Sequence, residues 1–368
     1  MHGGVKSGLK GYLGSVKFYD RALGASAVDK NYTAQKDFFK NIRTVNECKT
    51  RLFLLLGQSN GNGATYHASG ISEASSVYKT KRYENVKVFN YILSTFPLAN
   101  DSPFQTKAWY PLQIGLNNNT GADSYAADYV GFKYGNSNFI GPEATLAENL
   151  SLKYPEDDIY LMKLCANASF LATSANGHFN ILLPSGIPDW SVSSVQANEK
   201  SLYSSVVSGT KFWTLFPVGF GLNTENKHYD SIYNASARGV DNIEVCGIFW
   251  VQGEADSLLP VFANQYETNL NSLVNKLREE LAVLNGGSSS IPFIISKTHP
   301  DISGANYLHV STVRTAQQNI ADNGEMIGIF ESDNHLTLGS DSLHYTADAQ
   351  LEHGKALFNT YLNTIGDT

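Results

Sequence analysis

A mainly parallel α/β sheet, covered by helices on both faces, is the fold this sequence predicts. Two observations carry the expectation. Short apolar runs recur from Leu52 to Phe330, several of them bounded by polar or turn-forming residues. Helical patterns lie between them, and strand alternating with helix builds a parallel sheet sandwiched by helices.

The elements follow in order. Leu52–Leu56, Val86–Phe89, Ile159–Leu164, Val245–Val251, Pro292–Ser296 and Met326–Phe330 read as buried strands. Pro142–Leu152 reads as a helix, with Pro near its first turn and Leu146 and Leu150 at helical spacing. Phe262–Leu284 carries Leu270, Leu273, Val274, Leu277 and Leu281 on one stripe. Thr312–Asp322 and Ala347–Ile365 are the last two helices. Two stretches break the rhythm: Thr95–Asn138, rich in Asn, Gly, Tyr and Ser, and Ala172–Asp230, with Trp190, Trp213 and several prolines. Long loops of this kind are functional or disordered, and these are expected to wall the sheet's carboxyl edge.

Bulk properties narrow the function. The 368 residues are 42% apolar and 17% charged, with a formal net charge of -7, so nothing resembles the basic footprint of a nucleic-acid binder. Three cysteines, Cys48, Cys165 and Cys246, form no disulfide framework. No run approaches a membrane span, and Met1-His-Gly-Gly-Val has no signal-peptide core. A soluble protein, secreted or surface- or virion-associated rather than cytoplasmic, is the expectation. The scattered histidines lack zinc-site spacing, so no metal and no cofactor is expected.

The chemistry concentrates at Gly57-Gln58-Ser59-Asn60-Gly61, which closes the first apolar run and lifts a serine from the carboxyl edge of the sheet. Open α/β sheets place ligand sites there. Near the chain's end stands Asp341-Ser342-Leu343-His344. A serine needs a base to take its proton, and a histidine needs a carboxylate to orient it and stabilise its charged form. Ser59, His344 and Asp341 supply those three parts. The pentapeptide also satisfies the G-x-S-x-G elbow of α/β-hydrolases. Chain order argues against that fold, because Ser59 follows the first core strand and Asp341 and His344 share one loop.

Gly57-Gln58-Ser59-Asn60, Trp250-Val-Gln252-Gly-Glu254-Ala-Asp256 and Asp341-Ser-Leu-His344 together resemble the SGNH hydrolases. The similarity is to the sialate O-acetylesterase-like branch that includes carbohydrate esterase family 6 acetylxylan esterases. Val313-Arg314-Thr315-Ala316-Gln317 adds a weaker match. The resemblance implies a three-layer α/β/α fold of flavodoxin-like topology and a serine esterase acting on O-acetylated carbohydrate. It implies an oxyanion hole made by the Ser59 N–H, the Gln252 side-chain amide and Asn167, which stands where the family has a glycine. Glu254 and Asp256 are read as supports of the Gln252 loop. Gln58, Asn60, Trp190 and Trp213 are candidates for substrate contact, as are Trp109 and Tyr110. The rival reading is a glycan-binding or structural component of a virus tail or surface appendage built on an esterase fold.

Residues 1–47 differ in character from the esterase-like region, 48–368. Leu13-Gly-Ser-Val-Lys-Phe-Tyr-Asp-Arg-Ala-Leu23 and Ala27–Tyr32 resemble the last strand and tail of a laminin-G or concanavalin-like jelly roll. Such a segment would serve self-association or attachment.

Overall fold

The computed structural model of the chain describes residues 49–63, 78, 81–90, 109–113, 140–165, 169–172, 190, 192, 243–303, 306–333 and 335–367. The expectations for residues 1–47 lie outside them, as do most of the two long loops.

Among the described residues seven strands form one sheet: β1 (Thr50–Gly57), β2 (Arg82–Asn90), β3 (Trp109–Gln113), β4 (Asp158–Cys165), β5 (Ile243–Val251), β6 (Phe293–Ser296) and β7 (Ile327–Phe330). Their order is β3-β2-β4-β1-β5-β6-β7. All neighbours run parallel except β3, which pairs antiparallel with β2 at the edge. All six apolar runs are strands. The added strand, β3, falls inside the first long loop and takes up Trp109 and Tyr110, opposite Phe89 and Val88.

The helices whose bounds lie among the described residues are α1 (Ser59–Asn62, a single turn), α2 (Glu143–Lys153), α3 (Pro260–Leu281), α4 (Val310–Asn323) and α5 (Ala347–Ile365). Alternate residues of a strand face opposite sides, and β1 shows what that does here. Leu52, Leu54 and Leu56 join the core under α3 and α4, with Leu270, Leu273, Val274, Leu277, Val313 and Ile320. Phe53 and Leu55 join the opposite core under α2 and α5, with Leu146, Leu150, Leu357 and Phe358. Three layers result, as expected. The strand order departs from the flavodoxin order 2-1-3-4-5 in one exchange: β4 lies between β1 and β2.

The consequence for function is at β1. The chain fills the sheet on one side of it with β2, β3 and β4, then crosses to the other side for β5, β6 and β7. The connections from the adjacent strands β1 and β5 leave in opposite directions, and such a divergence opens a crevice at the strands' carboxyl ends. Ser59 sits there.

Two terminal details fix α5, the helix that follows the Asp341–His344 loop. Thr346 caps its start by accepting from the Ala349 N–H at 3.3 Å, and Gly366 closes it in a left-handed conformation. Among the described residues no helix is long and apolar enough to cross a membrane.

Candidate active site

β1 ends in Gly57, whose φ of +146° and surroundings exclude a side chain: an added Cβ would lie 1.9 Å from the Val251 carbonyl oxygen of β5. The chain then turns at once into α1, so Ser59 opens a buried helical turn at the sheet's edge. The first N–H groups of a helix lack partners within it. Among the described residues the Ser59 N–H accordingly has no backbone acceptor, whereas Asn62 and Gly63 donate back to Gln58 and Ser59.

Lys163 and Glu143 hold that turn from behind. Lys163, fully buried on β4, donates to the Asn62 carbonyl at 2.9 Å and to Glu143 Oε2 at 2.6 Å. A buried ammonium needs both a counter-charge and hydrogen bonds, and it has them. Sequence reading passed over this pair. The available signal was a lysine inside the apolar run Leu161-Met-Lys-Leu-Cys165, which demands a partner.

The Asp341–His344 loop is tightly built. Asp341 Oδ1 accepts the Leu343 and His344 N–H groups, both at 3.0 Å, and Oδ2 meets His344 Nδ1 at 2.6 Å. Ser342 adopts the left-handed φ of +53° that lets the loop reverse. Burial alone would raise the Asp341 carboxyl, but the hydrogen bonds from His344 and Leu343 outweigh it and hold the group below its ordinary value. A carboxylate so held orients the imidazole with Nε2 facing away from it.

Asn60 joins the two halves. Its amide donates to the Leu343 carbonyl at 3.2 Å, and its oxygen accepts from the Tyr345 N–H at 3.1 Å. The residue after Ser59 therefore clasps the backbone on either side of His344, across more than 280 residues of sequence. The same amide donates to Glu254 Oε1 at 2.7 Å. Burial raises the Glu254 carboxyl above its ordinary value, against the opposing pull of Asn60 and His344.

The turn after β5 completes the frame. Gly253 has a φ of +153°, and a Cβ there would lie 2.2 Å from Thr298 Oγ1. Gln317 on α4 donates to the Gln252 carbonyl at 3.0 Å, and Gln252 Nε2 donates to the Ser169 carbonyl at 3.1 Å and to Asp256 Oδ2 at 2.5 Å. Asp256 also accepts the N–H groups of Leu171 and Ala172. The turn thus braces the segment that follows β4, the supporting role expected of Glu254 and Asp256.

Several expected contacts are corrected by these bonds. In this structure Gln252 uses both amide hydrogens within the protein, on the Ser169 carbonyl and on Asp256 Oδ2, and so braces the turn. Asn60, fully buried, is a clasp and not a substrate contact. Gln58 is also buried, its oxygen accepting from the Ala255 N–H at 3.3 Å. Trp190 is 0% exposed, donates to Ser169 Oγ at 3.0 Å and meets the Trp250 ring edge-on at 5.0 Å. It belongs to the core, not to a wall open to a sugar. Beside the histidine loop, His299 is buried, its Nδ1 accepting from the Asp301 N–H and its ring packing near Tyr345. Asn167 and Trp213 lie outside the described residues.

Fold and site together define an open α/β/α protein in which the residue after Ser59 is bonded to the backbone on either side of His344. Comparison with known proteins sharpens the class. Residues 194–363 match a family described as carbohydrate esterase, sialic acid-specific acetylesterase. That span contains Gln252, Asp341 and His344 but not Ser59. A probable carbohydrate esterase of Arabidopsis thaliana, At4g34215, is 31% identical over 122 residues, 33% of this chain and 42% of that protein. The match therefore spans less than half of that curated relative. The crystal structure of NanS superposes with a TM-score of 0.54 at 14% identity, covering 87% of this chain and 98% of the other. The X-ray structure of the At4g34215 protein covers 86% and 98% at 17% identity, with a TM-score of 0.48. The resemblance read from the three sequence blocks is thus to a family that the comparisons also find, and the likeness to NanS is one of fold.

Proposed function

We propose that this protein is a serine esterase that removes O-acetyl groups from carbohydrate. The observation that carries the proposal is the Asn60 clasp, which sets the Ser59 turn against the loop holding the Asp341–His344 pair. The sequence similarity to carbohydrate esterases supplies the substrate class.

In the proposed reaction Ser59 Oγ attacks the acetyl carbonyl carbon while His344 Nε2 takes the serine proton. Asp341 keeps the other ring nitrogen protonated and stabilises the imidazolium. The carbonyl electron pair moves to oxygen, where the Ser59 N–H is one donor and the Asn167 backbone a second. Each such donor is worth about 3–4 kcal/mol in other hydrolases. Collapse expels the sugar oxygen, which takes the proton from His344 and leaves acetyl on Ser59. Water then repeats the sequence, giving acetate and free serine.

Replacing Asp341 with Asn tests the assignment. The amide keeps the shape but favours the wrong tautomer of His344, so turnover of an acetylated sugar should fall by about 10⁴-fold with the melting temperature little changed. Turnover within tenfold of wild type would remove Asp341 from the mechanism.

A further inference from the structure

The turn that carries Ser59 is too short to hold itself. α1 spans four residues, with the Asn62 N–H donating to the Gln58 carbonyl at 2.8 Å and the Gly63 N–H to the Ser59 carbonyl at 2.9 Å. A single helical turn gains little from its own hydrogen bonds, so its shape is set by what surrounds it. Asn60 bonds the turn to the histidine loop. A second support lies at the turn's carboxyl end. Gly63 closes the turn with a φ of +89° and lies against Gly141: a Cβ on Gly63 would stand 2.4 Å from the Gly141 Cα. Two residues on from Gly141, Glu143 opens α2 and pairs with Lys163, whose ammonium reaches the Asn62 carbonyl.

We propose that Lys163 is a positioning residue for the reaction: by holding the last carbonyl of α1 it fixes the direction in which Ser59 presents its Oγ to the acetyl group. The inference rests on the esterase reading above for the reaction, and on the bonds of Lys163 for its role. The last carbonyls of a helix lack partners within it and carry partial negative charge, so a cationic donor suits them. Glu143 aims that donor. With Oε2 at 2.6 Å on one side and the Asn62 carbonyl at 2.9 Å on the other, Nζ bridges the start of α2 and the end of α1. The carboxylate is itself favoured in the first turn of α2 by the helix dipole. Stability alone explains the pair poorly. The two side chains are 0% and 3% exposed, and apolar residues of similar volume often hold such a slot as well or better. What an apolar residue cannot do is bond a backbone carbonyl. Drift of the turn would break a charge-assisted bond in a place closed to water, so the turn stays where Ser59 faces the crevice.

The test variant is Lys163→Met with Glu143→Gln, which fills the slot and leaves neither charge alone. The probe is diethyl p-nitrophenyl phosphate. Ser59 Oγ displaces p-nitrophenolate from phosphorus, so the amplitude counts folded sites and the rate constant reads the reactivity of Ser59 with no sugar bound. The expected result is full amplitude with a rate constant about 10²-fold lower, the cost of misplacing a reacting atom by about an ångström. On p-nitrophenyl acetate kcat should fall by a similar factor, with KM within about twofold of wild type. Gly141→Ala is a second perturbation, and it decides the matter if the double variant does not fold. Its Cβ would lie 2.2 Å from Glu143 Oε2 and 3.0 Å from Lys163 Nζ, so the pair must move with both charges kept. Its kcat should fall about tenfold. The control is Arg51→Met with Asp157→Asn, which removes a 2.6 Å ion pair near the amino end of β1. That variant should lose stability and keep the wild-type phosphorylation rate. Wild-type rate constants in the double variant or in Gly141→Ala would overturn the inference. An equal fall in the control, or a raised KM at unchanged kcat, would overturn it too, since either takes the effect away from the turn. A wild type that is neither phosphorylated at Ser59 nor active on the ester would overturn the esterase reading, and the role of Lys163 with it.

Discussion

Asn60→Ala is the substitution that most directly loads the frame of the site. It removes three buried hydrogen bonds at once, those to Glu254 Oε1, the Leu343 carbonyl and the Tyr345 N–H. Each buried group left without a partner costs roughly 1–3 kcal/mol. Glu254 is the worst placed, since its Oε2 already has no partner among the described residues. A total of about 3–9 kcal/mol follows, a large share of the roughly 5–15 kcal/mol that holds a domain folded. The melting temperature should drop by about 10 °C or more. Turnover should fall by about 10²-fold or more, because displacing a catalytic group by an ångström costs that much. Thermal melting and steady-state hydrolysis of p-nitrophenyl acetate read the two effects. Asn60→Asp separates them: it preserves the acceptor for Tyr345 but sets a second carboxyl against Glu254. Like charges that close cannot both ionise, so this variant should regain stability as the pH falls. Wild-type melting and turnover in the alanine variant would refute the clasp.

Two further outcomes follow from groups buried near the site. His353 is fully buried, donating to or accepting from Ser296 Oγ at 2.8 Å, and burial lowers its pKa to about 3. An unfolded histidine takes its proton near pH 6.5, so stability should fall by up to about 1.4 kcal/mol per pH unit on acidification between about 6.5 and 3. Urea denaturation at several pH values should show a shallower slope in His353→Gln, and an unchanged slope would contradict the burial argument. The contribution of Asp341, whose value is lowered, is present above the ordinary carboxylate range and lost only in more acid solution. Lys163→Met should cost about 3–5 kcal/mol by leaving Glu143 charged and alone. Adding Glu143→Gln should restore part of that, which denaturant midpoints would show; no recovery would mean that the pair acts through packing alone.

Much of the fold was legible because it rests on local pattern. The run Leu52–Leu56 could only be a buried strand, and α5 spans the predicted residues because Thr346 and Gly366 mark its ends. The Asp341–His344 pairing was legible for the same reason, since a short loop brings residues three apart together. What failed was decided by tertiary partners. Asn60 and Gln58 look like polar residues awaiting a ligand, yet their partners come from distant segments and occupy them. Trp190 looked like a loop aromatic until its contact with Trp250 placed it in the core. β3 escaped notice because an antiparallel edge strand of five residues carries neither a long apolar run nor a helical period. The position of β4 beside β1 is a matter of long-range pairing, which no local pattern encodes.

The central claim is that Ser59 is the nucleophile. Hydrolysis of an acetylated sugar by Ser59→Ala protein, measured against wild type at matched folding by circular dichroism, tests it most directly. The account predicts a fall in turnover of at least about 10³-fold, with the residual rate set by binding and the oxyanion donors alone. Turnover above about a tenth of wild type in the folded variant would contradict it.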